Sequence, residues 1–206
     1  MLEGLDEIDW PRLHYSHGGT AENIPILMRT LLSRDEHERE VAFQELLHGI
    51  WHYGSIWEVT QYEVPFLWEL LKSPETPNKL FVVNLLVVMA KEEHTYHNVI
   101  ADESKQKEWR KILKERGKDL DEEVEKAKMY CKEVHLEIAN EFPMLYPYLF
   151  CEEPLIRDYV AKAFGKYPEF KSGTLPLLEK ALVSESDEFA RKSMLNSIKF
   201  LSEINP

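Results

Sequence analysis

The chain has 206 residues, with 25 Lys+Arg against 37 Asp+Glu and a formal net charge of −12. Hydrophobic residues at 44% and aromatics at 11% exclude a disordered chain. Two cysteines, Cys131 and Cys151, without CxxC spacing exclude a disulfide scaffold. No run approaches the ~18 uncharged apolar residues of a membrane span. The opening Met-Leu-Glu-Gly-Leu-Asp-Glu is acidic, the wrong charge for a leader. The expectation is a soluble, reduced, cytoplasmic protein with no membrane partner. A −12 surface repels phosphate backbones, so no nucleic acid is expected; a basic protein is the better suited partner. Charge that serves solubility alone is the competing reading.

Glycine is scarce, at 8 residues, and apolar residues recur with a period near 3.6, so the chain reads as all-α. In chain order, the first unit runs from Ile24-Pro25-Ile26-Leu27 through Asp35-Glu36 to Leu46-Leu47. The second runs from Val64-Pro65-Phe66-Leu67 through Pro74-Glu75 to Val88. Residues 91–141 follow as a longer, charged, divergent segment with helical patterns over Lys105–Glu115 and Leu120–Ile138. Gly117-Lys118-Asp119 separates these two patterns, and Asp119 is placed to cap the second. The third unit runs from Phe142-Pro143-Met144-Leu145 through Glu152-Glu153 to Ala161, and the fourth from Leu175-Pro176-Leu177-Leu178 through Asp187-Glu188 to Leu201. Each proline is expected in the first turn of a helix, where its missing N–H costs nothing. The acidic pair after it is expected to cap the next helix. Paired helices recurring at this period are the signature of a helical solenoid.

The four units resemble HEAT repeats: a proline near the start of the first helix, an acidic residue after it, and a basic residue on the second. Arg39, Arg157 and Arg191 lie near that last position. The stretch Trp10, Leu13, His14-Tyr15, Gly18-Gly19, Ala21 and Ile24-Pro25-Ile26-Leu27 is similar to small bacterial HEAT-repeat proteins. So is Ile50-Trp51-His52-Tyr53-Gly54-Ser55, Thr60 and Val64-Pro65-Phe66-Leu67. Tyr53 and Ser55 depart from the glutamine and threonine common in that group. The resemblance implies a right-handed α-α superhelix, an armadillo-like solenoid of about five helical hairpins forming a single domain over 1–206. Some members of the group occur beside polymorphic toxins, which implies an immunity protein of a toxin–antitoxin pair.

The densest cluster for chemistry is His48-Gly49-Ile50-Trp51-His52-Tyr53-Gly54-Ser55-Ile56-Trp57. Tryptophan and tyrosine dominate interfaces, so Trp51, His52, Tyr53 and Trp57 read as partner contacts. The alternative is that the tryptophans only wedge two units apart. Asp35 and Glu36, in a unit rich in carboxylates, read as a patch for a basic partner or as a cap on a solvated helix.

His48 and His52 have the spacing of a shared metal, but the glutamate of HExxH is absent, and a third ligand would have to come from His14 or His17. His94-x-x-His97 beside Glu92-Glu93 is a second such pair. Cys131 with His135 reads as a buried cysteine on an apolar face, or as a thiolate–imidazole contact. There is no GxSxG, GxxxxGK[ST] or GxGxxG. No catalytic residue, metal or cofactor is therefore assigned. The expected function is non-enzymatic protein binding. A self-associating scaffold or adaptor is the alternative, and a DNA-glycosylase-type enzyme is disfavoured by charge.

Overall fold

The computed structural model describes residues 1–13, 21–50, 55–91 and 93–204. Ten α-helices occur among them: α1 (Ile24–Thr30), α2 (Glu36–Ile50), α3 (Thr60–Lys72), α4 (Lys79–Lys91), α5 (His97–Ile100), α6 (Glu103–Glu115), α7 (Leu120–Ala139), α8 (Pro154–Lys166), α9 (Lys171–Ser184) and α10 (Glu188–Glu203). A 3-10 segment, Phe142–Phe150, precedes α8. Two short strands, β1 (Ser55–Ile56) and β2 (Glu93–His94), pair in parallel. None of these helices is long and apolar enough to cross a membrane.

The helix boundaries follow from local chemistry. Asp35 Oδ1 accepts the amides of His37 at 2.8 Å and Glu38 at 3.3 Å and opens α2. Asp102 does the same for α6 with Ser104 and Lys105, Asp119 for α7 with Asp121 and Glu122, and Asp187 for α10 with Ala190. Each carboxylate satisfies amides that have no partner within the helix and complements the helix dipole. Gly117, at φ 71°, turns the chain out of α6 in the left-handed region, while the Lys118 amide donates to the Leu113 carbonyl at 2.9 Å.

The described residues divide into two units. The first comprises 1–77 and 92–137. Trp10 is buried in it, 6.4 Å from the Phe66 ring, and its indole N–H donates to the Leu5 carbonyl at 2.6 Å. Trp68 on α3 donates to the Glu137 carbonyl on α7 at 3.1 Å. Val99, Leu113, Leu120 and Val124 close a small core of α5–α7, with Trp109 edge-on to Tyr96.

The second unit comprises 78–91 and 138–206. Its α8 packs on α4, on α10 and on the 3-10 segment. Ser193 Oγ donates to Asp158 at 2.6 Å, and Ser197 Oγ to the Ala161 carbonyl at 2.7 Å. The partners advance together along both helices, so α8 and α10 run parallel. Phe142 anchors an aromatic core, stacked on Tyr167 at 4.4 Å and Phe170 at 4.8 Å.

The all-α reading stands, but the superhelix does not. A stacked array of hairpins joins each repeat only to its sequence neighbours. Here α8 packs on α4, past the intervening α5–α7, and α3 is bonded to the far end of α7. The hairpin expected from α3 and α4 is also divided, with α3 in the first unit and α4 in the second. Helices are bundled within each unit through pairings distant in sequence, so the chain is not the expected HEAT-repeat, armadillo-like solenoid.

The prolines are a second correction. Pro25 and Pro143 do stand in first turns. Pro65 and Pro176 lie inside their helices, which begin a full turn earlier, at Thr60 and Lys171. A proline there lacks the N–H for the carbonyl four residues back, and that carbonyl belongs to the first turn.

Candidate protein-binding surface

The residues singled out in the sequence fall in different settings. Trp51, His52 and Tyr53 lie outside the described residues, as do His14 and His17. Trp57 is half-buried just after β1, and its indole nitrogen is enclosed without a hydrogen-bond partner. Its backbone amide donates to Thr60 Oγ1 at 3.2 Å. Asp35 is exposed, with one carboxylate oxygen occupied by capping α2; Glu36 is exposed in the first turn of that helix.

The parallel pairing of Ile56 with His94 brings Trp57 near the second histidine pair in the fold. His97 Nδ1 lies 2.8 Å from the His94 carbonyl oxygen, and the two rings meet edge-on at 6.2 Å. Burial, and then the charges of His97 and Lys128, hold His94 below its ordinary pKa. Among the described residues no group of three His, Cys, Asp or Glu side chains is placed to hold a metal ion. Cys131 is not primed as a nucleophile, because burial, reinforced by Glu93, pushes its thiol up to about 12.

The surface with the clearest construction lies in the second unit, where the sequence offered only generic repeat features. Arg157 grips Glu185 with two bonds, Nε to Oε2 at 2.6 Å and Nη2 to Oε1 at 2.8 Å. Its Nη1 donates to the carbonyls of Cys151 at 2.8 Å and Glu152 at 2.9 Å. One guanidinium thus ties the turn before α8 to the turn between α9 and α10. The pair is largely buried, with side chains 15% and 2% exposed, and hydrogen bonding to Arg157 holds the Glu185 carboxyl below the usual range. Arg39, Arg157 and Arg191, read from the sequence as a repeat's basic position, share a local role without forming the repeat. Each of the three donates to a carbonyl at or near the end of the preceding helical stretch: Ser33, Cys151 and Leu182.

That tie fixes an edge. Because α8 and α10 are parallel, Leu155 and Phe189 emerge at the same end of the unit. The last turn of α9, carrying Val183, and the end of the 3-10 segment, carrying Phe150, reach that end through the two tied turns. All four side chains are exposed, Val183 at 88% and Phe189 at 74%. Exposed Glu152, Glu153 and Glu188 flank them. Nearby cations are engaged: Lys180 sits over the Phe150 ring at 5.5 Å, and Arg191 donates to the Leu182 carbonyl.

No protein-family model matches the chain, and comparisons with curated proteins and with solved structures give no match either.

Proposed function

We propose that the protein works by binding another protein, a basic one, and not as an enzyme. The observation that supports this is the edge of the second unit. Large apolar side chains there are held by a buried ion pair and bordered by carboxylates. Solvent-exposed aromatic and aliphatic anchors on a rigid frame are what interfaces use. The flanking carboxylates, within a chain of net charge −12, attract a cationic partner and speed its approach. Covering the basic cleft of a toxin, as an immunity protein does, is the specific form of this reading that the charge favours.

The test is affinity capture from the native host at low and moderate salt. It compares the wild-type chain with Val183→Ser/Phe189→Ser and with Glu152→Lys/Glu153→Lys/Glu188→Lys. One basic protein retained in stoichiometric amount by the wild type alone supports the reading. Retention of nothing, of nucleic acid only, or of the same protein by all three chains overturns it.

A further inference from the structure

The outer face of α7 carries a pattern that the fold does not use. Val124, Ala127 and Val134 are buried and hold the helix within the first unit. On the opposite side Met129 and Leu136, two turns apart, stand exposed at 50% and 49%. With about 100° between successive residues of a helix, Glu125 and Lys132 border Met129 on one side, and Lys126 and Glu133 border it on the other. Each side of the apolar stripe thus carries one acid and one base, in opposite order. Glu125 and Lys126 make only exposed pairs within α7, with Lys128 at 2.8 Å and Glu123 at 3.1 Å, of the kind that contributes little in water. Neither Lys132 nor Glu133 makes an ion pair among the described residues.

We propose that α7 pairs antiparallel with α7 of a second copy of this chain, about a two-fold axis at Met129. There Met129 meets Met129 of the second copy. Residues four before and three after it come to nearly the same level on the same side, so Glu125 of each copy meets Lys132 of the other. On the far side Lys126 of each copy meets Glu133 of the other. Two-fold symmetry makes every contact occur twice, so an apolar centre is ringed by matched charges. Leu136 comes level with Glu122 of the second copy and covers its methylene groups. Parallel pairing would also match the charges, but it sets Glu122 against its own copy at the acidic end of the helix and aligns two helix dipoles. One helix against its copy falls at the small end of interfaces, roughly 1,200 Å² or less, so the dimer is weak and reversible. It uses none of the residues of the apolar edge in the second unit, and the two surfaces fail or hold independently.

Sedimentation velocity of the full chain between about 10 µM and about 1 mM, where a small interface associates reversibly, is the test. The wild type should move from monomer towards dimer as concentration rises. Lys132→Glu should weaken association roughly tenfold, because symmetry doubles the change. Glu125→Lys/Lys132→Glu should restore it, since the two signs are exchanged together. Met129→Cys should be cross-linked between copies by a short bis-maleimide above the background of Cys131 and Cys151. Leu136→Cys should not, because the two Leu136 positions lie at opposite ends of the pairing. The proposal is overturned by a wild type that stays monomeric throughout, or by association that Val183→Ser/Phe189→Ser abolishes and Lys132→Glu leaves intact. It is equally overturned if the double variant fails to regain what the single variant loses, or if Leu136→Cys cross-links as readily as Met129→Cys. The wild-type concentration series does not depend on how any variant folds.

Discussion

Arg157 and Glu185 stand 28 residues apart and meet through two parallel N–H to oxygen bonds, at 2.6 and 2.8 Å, with the carboxylate almost wholly out of water. Its Nη1 donates to two backbone carbonyls as well, so four of the five guanidinium N–H groups are engaged. Removing one partner strands the other. Arg157→Ala should cost about 3 kcal/mol of stability, the usual penalty for an orphaned buried charge. Urea unfolding measures it, and a loss under about 1 kcal/mol, the usual worth of an exposed pair, would show that the pair is no more than a surface contact.

The same pair sets an acid limit. The folded carboxyl of Glu185 lies below its unfolded value of 4.5. Its contribution is therefore complete above that pH and disappears as pH falls through the folded value. Glu185→Gln should be less stable than the wild type at neutral pH, and the two should converge below pH 4.5. Parallel stability curves over that range would contradict the assignment.

His94 behaves in the related way at higher pH. Its folded pKa lies below 6.5, chiefly through burial. The unfolded chain thus binds the proton more readily, and the neutral side chain's contribution is present above 6.5 and lost as pH falls through the folded value. His94→Gln should flatten the fall in thermal stability between neutral and mildly acidic pH. A wild-type midpoint that does not move over this interval would refute it.

A Cβ at Gly165 would stand 2.7 Å from Ser197 Oγ and 3.3 Å from its Cβ, so Ser197 would have to shift to admit one. Gly165→Ala should destabilise by about 1–3 kcal/mol, the cost of overpacking. Adding Ser197→Gly should recover part of that loss, although glycine within a helix carries its own cost of about 1 kcal/mol. A double-mutant cycle reads the coupling directly, and simple additivity would mean that the helices are not in the contact described.

Cys131 should resist alkylation. With its thiol pushed up to about 12, the thiolate is scarce at pH 8, and iodoacetamide should label it far more slowly than glutathione under the same conditions. Labelling at the rate of a free thiol would place it at the surface.

Much of the local structure was legible in the sequence. The pattern over Lys105–Glu115 and Leu120–Ile138 anticipated α6 and α7 within a residue or two, because capping by Asp119 and the turn at Gly117 are decided by neighbours in the chain. The acidic residues before α2 and α10 do cap them, but Glu153 makes no side-chain cap on α8 and Asn78, not Glu75, accepts an amide at the start of α4. The arrangement of helices was not legible. Periodicity says which face of α4 or α8 is buried but not against what, and a bundle and a stacked array demand similar amphipathic helices. Pro65 and Pro176 misled because a proline inside a helix and one at its start look alike when the preceding turn is also a good helix former. The edge was missed for a related reason. Arg157 was visible as a repeated basic position, but Glu185 became its partner only through the packing of α8, α9 and α10. The close approach of α8 and α10 depends on Gly165 meeting Ser197, another pairing that sequence spacing does not encode.

The placement of α4 has a consequence for how the chain is made. Its residues Val82, Val83 and Leu85 to Ala90 are all buried, and its partner α8 begins at Pro154, 63 positions after the end of α4 at Lys91. On a ribosome adding about 5–20 residues per second, this strongly apolar helix leaves the exit tunnel roughly 3–13 seconds before the helix that covers it. During that interval the nascent chain carries a sticky segment that lacks its α8 partner. Newborn chains should therefore depend on a holding chaperone until α8 emerges, and slowing translation between the codons for Lys91 and Pro154 should lower the soluble yield.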